Sequence, residues 1–163
     1  PEMMNQISEF DFGMVINEIS NQNWLLILPA LIFYFIGGYL LYASLFAAIG
    51  SALGDDMNEG QSLTLPVMLP VILSFYIAMS ILRSPDSSLA FWTSLIPFFS
   101  PIVMPARLAF NPPVWQIGLS LVLLFLGVLA SIWVAARIYR VGILMYGKKA
   151  NFKELWKWIS YRG

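Results

Sequence analysis

The chain has 163 residues, 59% of them apolar, 15% aromatic and 11% charged, and its nine Lys and Arg balance nine Asp and Glu. A soluble domain averages about 25% charged residues, so this composition argues against one. With no Cys and no His, it excludes disulfide frameworks, cysteine nucleophiles, serine triads and nearly all catalytic zinc sites, and the balanced charge offers no basic face for nucleic acid.

Charge is missing from residues 19–54, 60–82 and 108–136, runs of 36, 23 and 29 positions. A membrane-spanning helix needs about 20 apolar residues. The pattern therefore predicts an all-α integral membrane protein with three transmembrane helices, a proline-broken re-entrant helical hairpin and a C-terminal interfacial amphipathic helix. The chain opens on Pro1 rather than Met, which suggests a fragment or a processed product, and no basic, apolar signal peptide is visible there.

Residues 1–23 form an acidic, polar approach with a short helix over Phe10 to Ile19. The first span covers about 24–53, with Pro29 and Gly37-Gly38 as places where a bend is tolerated. Ala43, Ala47, Gly50 or Ser51, and Gly54 put small residues on one face of its second half, a spacing that lets another helix approach closely. Tyr34, Tyr39, Tyr42 and Ser44 supply its polar content, most simply as helix packing.

The loop Gly54-Asp-Asp-Met-Asn-Glu-Gly-Gln61 is acidic and turn-rich, and a second span follows over about 63–82, carrying Pro66 and Pro70. Asp55, Asp56 and Glu59 read as a solvated turn or as a contact for a cytoplasmic partner; no His is present to make them a metalloprotease site. After the charged turn Arg83-Ser-Pro-Asp86, residues 89–106 are apolar but carry Pro97, Pro101 and Pro105. Prolines that close break one continuous helix, so two short half-helices that dip into the membrane and return are expected, with a fourth full span as the alternative. Phe91, Trp92, Phe98 and Phe99 read as an interface belt or as a ligand box.

Asn111-Pro-Pro113 opens the last span, about 114–136, on which Gly127, Ser131 and Ala135 repeat the small-residue spacing. Arg137 and Arg140 are expected to stop it at the lipid headgroups. Residues 137–163 form a basic tail, where Asn151 and Glu154 make a capping box for a helix with Phe152, Leu155, Trp156 and Ile159 on one face and Lys153 and Lys157 on the other. Such a helix lies at the membrane surface, with Trp156 and Trp158 as anchors. Seven of the nine Lys and Arg lie in 137–163, which predicts a cytoplasmic C-terminus. Three spans then put residues 1–23 outside and 54–62 inside; four spans would reverse both. The spans themselves carry no charge, so an ion or proton path through them is unsupported.

In this order the elements resemble the C-terminal half of a permease subunit of the type-2 ATP-binding-cassette (ABC) exporters, especially the sodium-efflux permease-like branch. The resemblance covers about 24–162 and is most specific in Glu59 and Gln61 leading into Leu63-Thr-Leu-Pro66, and in the tail from Arg137 to Trp158. It implies that 24–53, 63–82 and 114–136 correspond to spans four, five and six of six, with 89–106 as the re-entrant pair. It further implies a second permease subunit, a bilayer (for a bacterial protein, the inner membrane), and ATP hydrolysis in a separate subunit. On this reading the chain is a transport component and not an enzyme, and it needs no cofactor. No phosphate-binding GxxxxGK[ST] motif occurs in the chain. By the same resemblance Asp55, Asp56, Glu59 and Gln61 contact the ATPase subunit. The departures are the absence of spans one to three, of the large extracytoplasmic insertion and of the principal coupling helix, so this stretch alone is not expected to transport anything. No carboxylate within a span supports sodium as substrate. The other reading left by the residues is a non-transport membrane scaffold or assembly protein whose small-residue faces bind other helices.

Overall fold

The computed structural model describes residues 12–53, 57–144 and 152–160. Seven helices are present there: α1 (Phe12–Ser20), α2 (Trp24–Ala52), α3 (Met57–Ile81), α4 (Ser88–Leu95), α5 (Ser100–Leu108), α6 (Val114–Leu144) and α7 (Phe152–Ser160), and no strand occurs among the described residues. In hydrocarbon each backbone N–H and C=O must be satisfied within its own segment, which leaves these apolar runs helix as their outlet. Three of the helices are long and apolar enough to cross a membrane: Trp24–Ala52, Gly60–Ile81 and Val114–Gly142. With 8 and 9 residues, α4 and α5 reach only about 12–14 Å and cannot cross a core of about 30 Å, which removes a fourth span.

The frame is a parallel pair of spans, α2 and α6. The Tyr34 hydroxyl donates to Ile117 O, the Ser44 hydroxyl to the Ser131 hydroxyl at 2.8 Å, and Gly142 lies against the backbone of Ser51. These partners occur in the same order along both helices, so both run the same way. α3 returns antiparallel and is more peripheral, with 11% of its apolar window buried against 28% for each of the other two.

The hairpin α4–α5 packs against both α2 and α6, which also touch each other directly where Gly37 meets Leu124. Met104 and Leu108 of α5 share a core with Ala30, Tyr34 and Leu41 of α2 and with Ile117, Leu124 and Val128 of α6. Its other side meets α3, where Ile81, Ala90 and Val103 pack together. Ser87 caps α4, its hydroxyl accepting from the Ala90 N–H at 3.2 Å. The return into α6 passes through Asn111 at φ 50°, a left-handed conformation that Asn tolerates better than most residues.

At the opposite end of the spans a second core forms from Ala48, Ile49 and Ala52 of α2, Leu63 of α3, Ile138 of α6 and Leu155 of α7. Here three expectations change. First, α6 does not end at Ala136; it continues through Arg137 and Arg140 to Leu144, because Ile138, Val141 and Gly142 still have α2 and α7 to pack against. Second, α3 begins at Met57, so Glu59 and Gln61 stand in its first turns rather than in a loop. Third, within this chain only part of the small-residue face of α2 is used: Ser51 meets Gly142 and Ala43 is half-buried, but Ala47 and Gly50 are exposed, while Gly38, Leu41, Ala48 and Ala52 face inward. Gly54, the last member of the expected stripe, lies outside the described residues.

A Cβ placed on Gly142 would stand 2.7 Å from the carbonyl oxygen of Ser51, a backbone atom with no room to yield, whereas one on Gly50 meets nothing within 4 Å. Gly142→Ala is therefore expected to lower stability by about 1–3 kcal/mol, as overpacking does. Gly50→Ala should leave it unchanged or slightly raised. Thermal unfolding of the detergent-solubilised protein compares the two, and equal melting temperatures would refute the assignment of the α2–α6 seam.

Candidate functional site

The depth of the hairpin follows from two glycines. A Cβ on Gly38 of α2 would lie 2.6 Å from the Cβ of Pro101, and one on Gly127 of α6 would lie 2.5 Å from the Cβ of Pro97. Both distances are shorter than carbon atoms tolerate, and a proline ring cannot rotate away. Missing side chains on the spans thus make the slot that receives the two prolines of the tip. Gly38 is 14 residues along α2 from Trp24, and Gly127 is 13 along α6 from Val114, so at 1.5 Å per residue the tip lies about 20 Å down the spans. That is beyond the midpoint of a hydrocarbon core of about 30 Å. At the tip the Tyr42 hydroxyl donates to Phe98 O, giving this non-helical turn a partner for its carbonyl.

Nearer the mouth of the hairpin, one chain of hydrogen bonds joins four helices. Tyr34 of α2, fully buried, donates to Ile117 O of α6 at 3.2 Å, with the Ser120 hydroxyl beside it. Ser120 donates to Ser94 O of α4 at 2.5 Å. The Ser94 hydroxyl donates to Phe91 O and accepts from the Arg107 guanidinium of α5, each at 2.8 Å. Arg107 is only 3% exposed, yet it carries a full charge at any physiological pH, and its described electrostatic partner is the exposed Asp86 at the entrance to the hairpin. Ser100, on the same face of α5 two turns before Arg107, is wholly buried and its hydroxyl has no partner. Beside this network a cleft of about 310 Å³ opens between the first turns of α2 and α6, lined by Asn23, Leu26, Leu108, Asn111 and Ile117 among others. No charged side chain lines it.

The residues chosen from sequence are placed as follows. Gly127 seats the hairpin tip, Ser131 bonds to Ser44 across the α2–α6 seam, and Ala135 packs against the second core. Arg137 of α6 lies with its guanidinium carbon 4.4 Å from the centre of the Trp133 ring and donates to Ile159 O of α7, while Arg140 and Trp156 are exposed. Asp55 and Asp56 lie outside the described residues, as do the side chains of Glu59 and Trp158; Gln61 is exposed at the start of α3. No group of three or more potential metal ligands occurs among the described residues.

The sequence reading did not single out Arg107, nor Ser94, Ser120 and Gly38 in their contact roles. A signal existed. Ser100, Val103, Met104 and Arg107 recur at i, i+3, i+4 and i+7, which puts the arginine on the same face as an apolar pair. Ser120 and Gly142 extend the small-residue line of Gly127, Ser131 and Ala135 at helical spacing, but the assumed stop at Arg137 cut that line short.

Residues 10–137 match the ABC-2 family transporter protein, which covers all three spans up to the first residue after Ala136 and the whole hairpin. The chain belongs to the ABC-2 transporter family. It is thus a membrane component of the permease type and not itself the ATPase. The chain is also similar to the uncharacterized protein YhaP of Bacillus subtilis (strain 168), 42% identical over 84 residues. That match covers 50% of this chain and 20% of YhaP, so the chain spans a minor part of this relative. No solved structure matches the chain.

Ser94→Ala removes the described hydrogen-bond partner of a buried guanidinium. It should destabilise the protein by about 1.5–3 kcal/mol, as for hydrogen bonds to charged groups. Ser120→Ala, which removes a neutral bond between helices, should cost only about 0.6–1.7 kcal/mol. Thermal unfolding ranks the two, and a Ser94→Ala protein as stable as the parent would contradict the role given to Arg107.

Proposed function

We propose that this chain is part of the permease of an ATP-driven exporter, forming one wall of a substrate path between two permease subunits and working by alternating access. The observation that carries the proposal is the family match across three spans and an inserted hairpin. In this reading α2, α6 and the hairpin move as one block, because the glycine–proline seats and the Tyr34–Ser120–Ser94–Arg107 bonds tie them at several depths. Residue 52 of α2, the start of α3 and all of α7 share one end of the bundle. Seven of nine Lys and Arg follow residue 136, which supports a cytoplasmic assignment for that end and an extracytoplasmic one for 1–23 and the hairpin mouth.

ATP is then hydrolysed by a separate subunit docked at the α7 end, with Asp55, Asp56, Glu59 and Gln61 as its contact. The match of this surface to its partner would couple nucleotide binding to a change in the relative population of two bundle arrangements, which requires that the ATPase bind the two states with different affinity. The hairpin, held about 20 Å deep from the other end, serves as the fixed outer wall of the path.

This chain has no Cys, so a single Cys at Asn58 of the full-length protein is a clean reporter in a background where any upstream Cys is replaced. In intact cells it should react with membrane-permeant reagents alone and crosslink to an ATP-binding subunit. Labelling by impermeant reagents would reverse the orientation and end the proposed contact. Glu59→Lys should leave membrane insertion intact and lower stimulation of the ATPase severalfold; unchanged stimulation would remove Glu59 from the coupling surface.

A further inference from the structure

The terminal helix is amphipathic, and the sequence assigns its apolar face to the membrane. The structure gives part of that face to the protein instead. Leu155 is buried against Ala52, Leu63 and Ile138, and Ile159 packs beside it. Arg137 holds the helix in this setting by donating to Ile159 O while its guanidinium stacks on Trp133. What remains outward is Lys153, Trp156, Lys157 and Ser160, spaced i, i+3, i+4 and i+7, all exposed and therefore on one face. Among the described residues neither lysine has an ion pair, and the Trp156 indole is 76% exposed.

The level of this face is set by α6. Ile138, which Leu155 touches, lies 24 residues from Val114, or about 36 Å along the helix, just past the end of a hydrocarbon core of about 30 Å. Two lysines and an outward indole thus lie in the layer where lipid phosphates lie, the layer that indole rings favour.

We infer that the Lys153–Trp156–Lys157 face of α7 is a binding site for anionic phospholipid headgroups, and that a bound lipid pins α7 across the ends of α2, α3 and α6. Charge complementarity favours a lipid over an acidic protein partner, because the indole between the lysines suits the boundary of headgroup and acyl chain. The inference rests on the proposed membrane placement of the three spans but not on which side is cytoplasmic.

The test uses the full-length protein in a neutral detergent, with phosphatidylglycerol, phosphatidylcholine or inorganic phosphate titrated in and thermal unfolding as the readout. Phosphatidylglycerol should raise the melting temperature and the other two should not. Each lysine removed should raise the half-maximal phosphatidylglycerol concentration by about fivefold, so Lys153→Gln/Lys157→Gln shifts it by about 25-fold. Lys153→Arg/Lys157→Arg should restore it, which separates loss of charge from loss of fold. An identical midpoint in the double Gln variant, or an equal response to phosphatidylcholine, would overturn the inference. So would a response to inorganic phosphate alone, which marks a free-anion site. Loss of ATPase-subunit binding in the Gln variant, with its lipid response intact, would assign the face to a protein and also overturn it. Labelling of Ser160→Cys from outside intact cells would reverse the proposed orientation while leaving the lipid result standing.

Discussion

Two absent side chains, at Gly38 and Gly127, govern the packing of this protein. The tip of the hairpin carries Pro97 and Pro101, whose rings are rigid, and it can seat against both α2 and α6 only where neither helix presents a Cβ. Without that slot, residues 88–108 would have to remain near the surface and the inner faces of α2 and α6 would lose Met104 and Leu108 as partners. The two spans also touch each other directly at several depths, through Tyr34 and Ile117 O, Gly37 and Leu124, Ser44 and Ser131, and Gly142 and Ser51. A membrane interior adds little drive for helices to associate through apolar area, so close approach and interhelical hydrogen bonds have to supply specificity.

The buried polar chain follows from that insertion. A hairpin placed within the bundle brings its own polar groups into a medium with no water to satisfy them, and each must be matched by protein. Tyr34, Ser120, Ser94 and Arg107 meet that demand in sequence, one from each of α2, α6, α4 and α5. A guanidinium at this position is costly, and its burial is compatible with a stable fold because it keeps Ser94 and the field of Asp86. The unpartnered Ser100 hydroxyl nearby shows that the match is not complete.

At the other end the bundle is closed by different means. Small and branched residues of α2, α3 and α6 surround Leu155, and Arg137 clamps α7 from one side. α3 is held at both ends, by Leu63 in this core and by Ile81 against the hairpin, yet most of its length is open. The exposed run of Leu65, Met68, Leu69, Ile72, Phe75 and Met79 suits a lipid or protein environment and not water.

By itself the sequence determined the class, the three spans and the break of 89–106 at its prolines, because charge exclusion, helix length and the proline rule are local and strong. Rotation was another matter. In a soluble helix polar residues mark the outer face, but here both faces of α2 are apolar, and small residues at Ala43, Ala47, Ala48, Gly50, Ser51 and Ala52 allow more than one phase. Only the positions of α6 and the hairpin chose Ala48 and Ala52 over Ala47 and Gly50. The extension of α6 past Arg137 and the burial of Arg107 were decided in the same way. A charge ends a span or lies in a loop when its alternative is lipid, but tertiary structure can offer it a carbonyl, an indole ring or a serine hydroxyl, and such partners are distant in sequence: Ile159 for Arg137, Ser94 for Arg107.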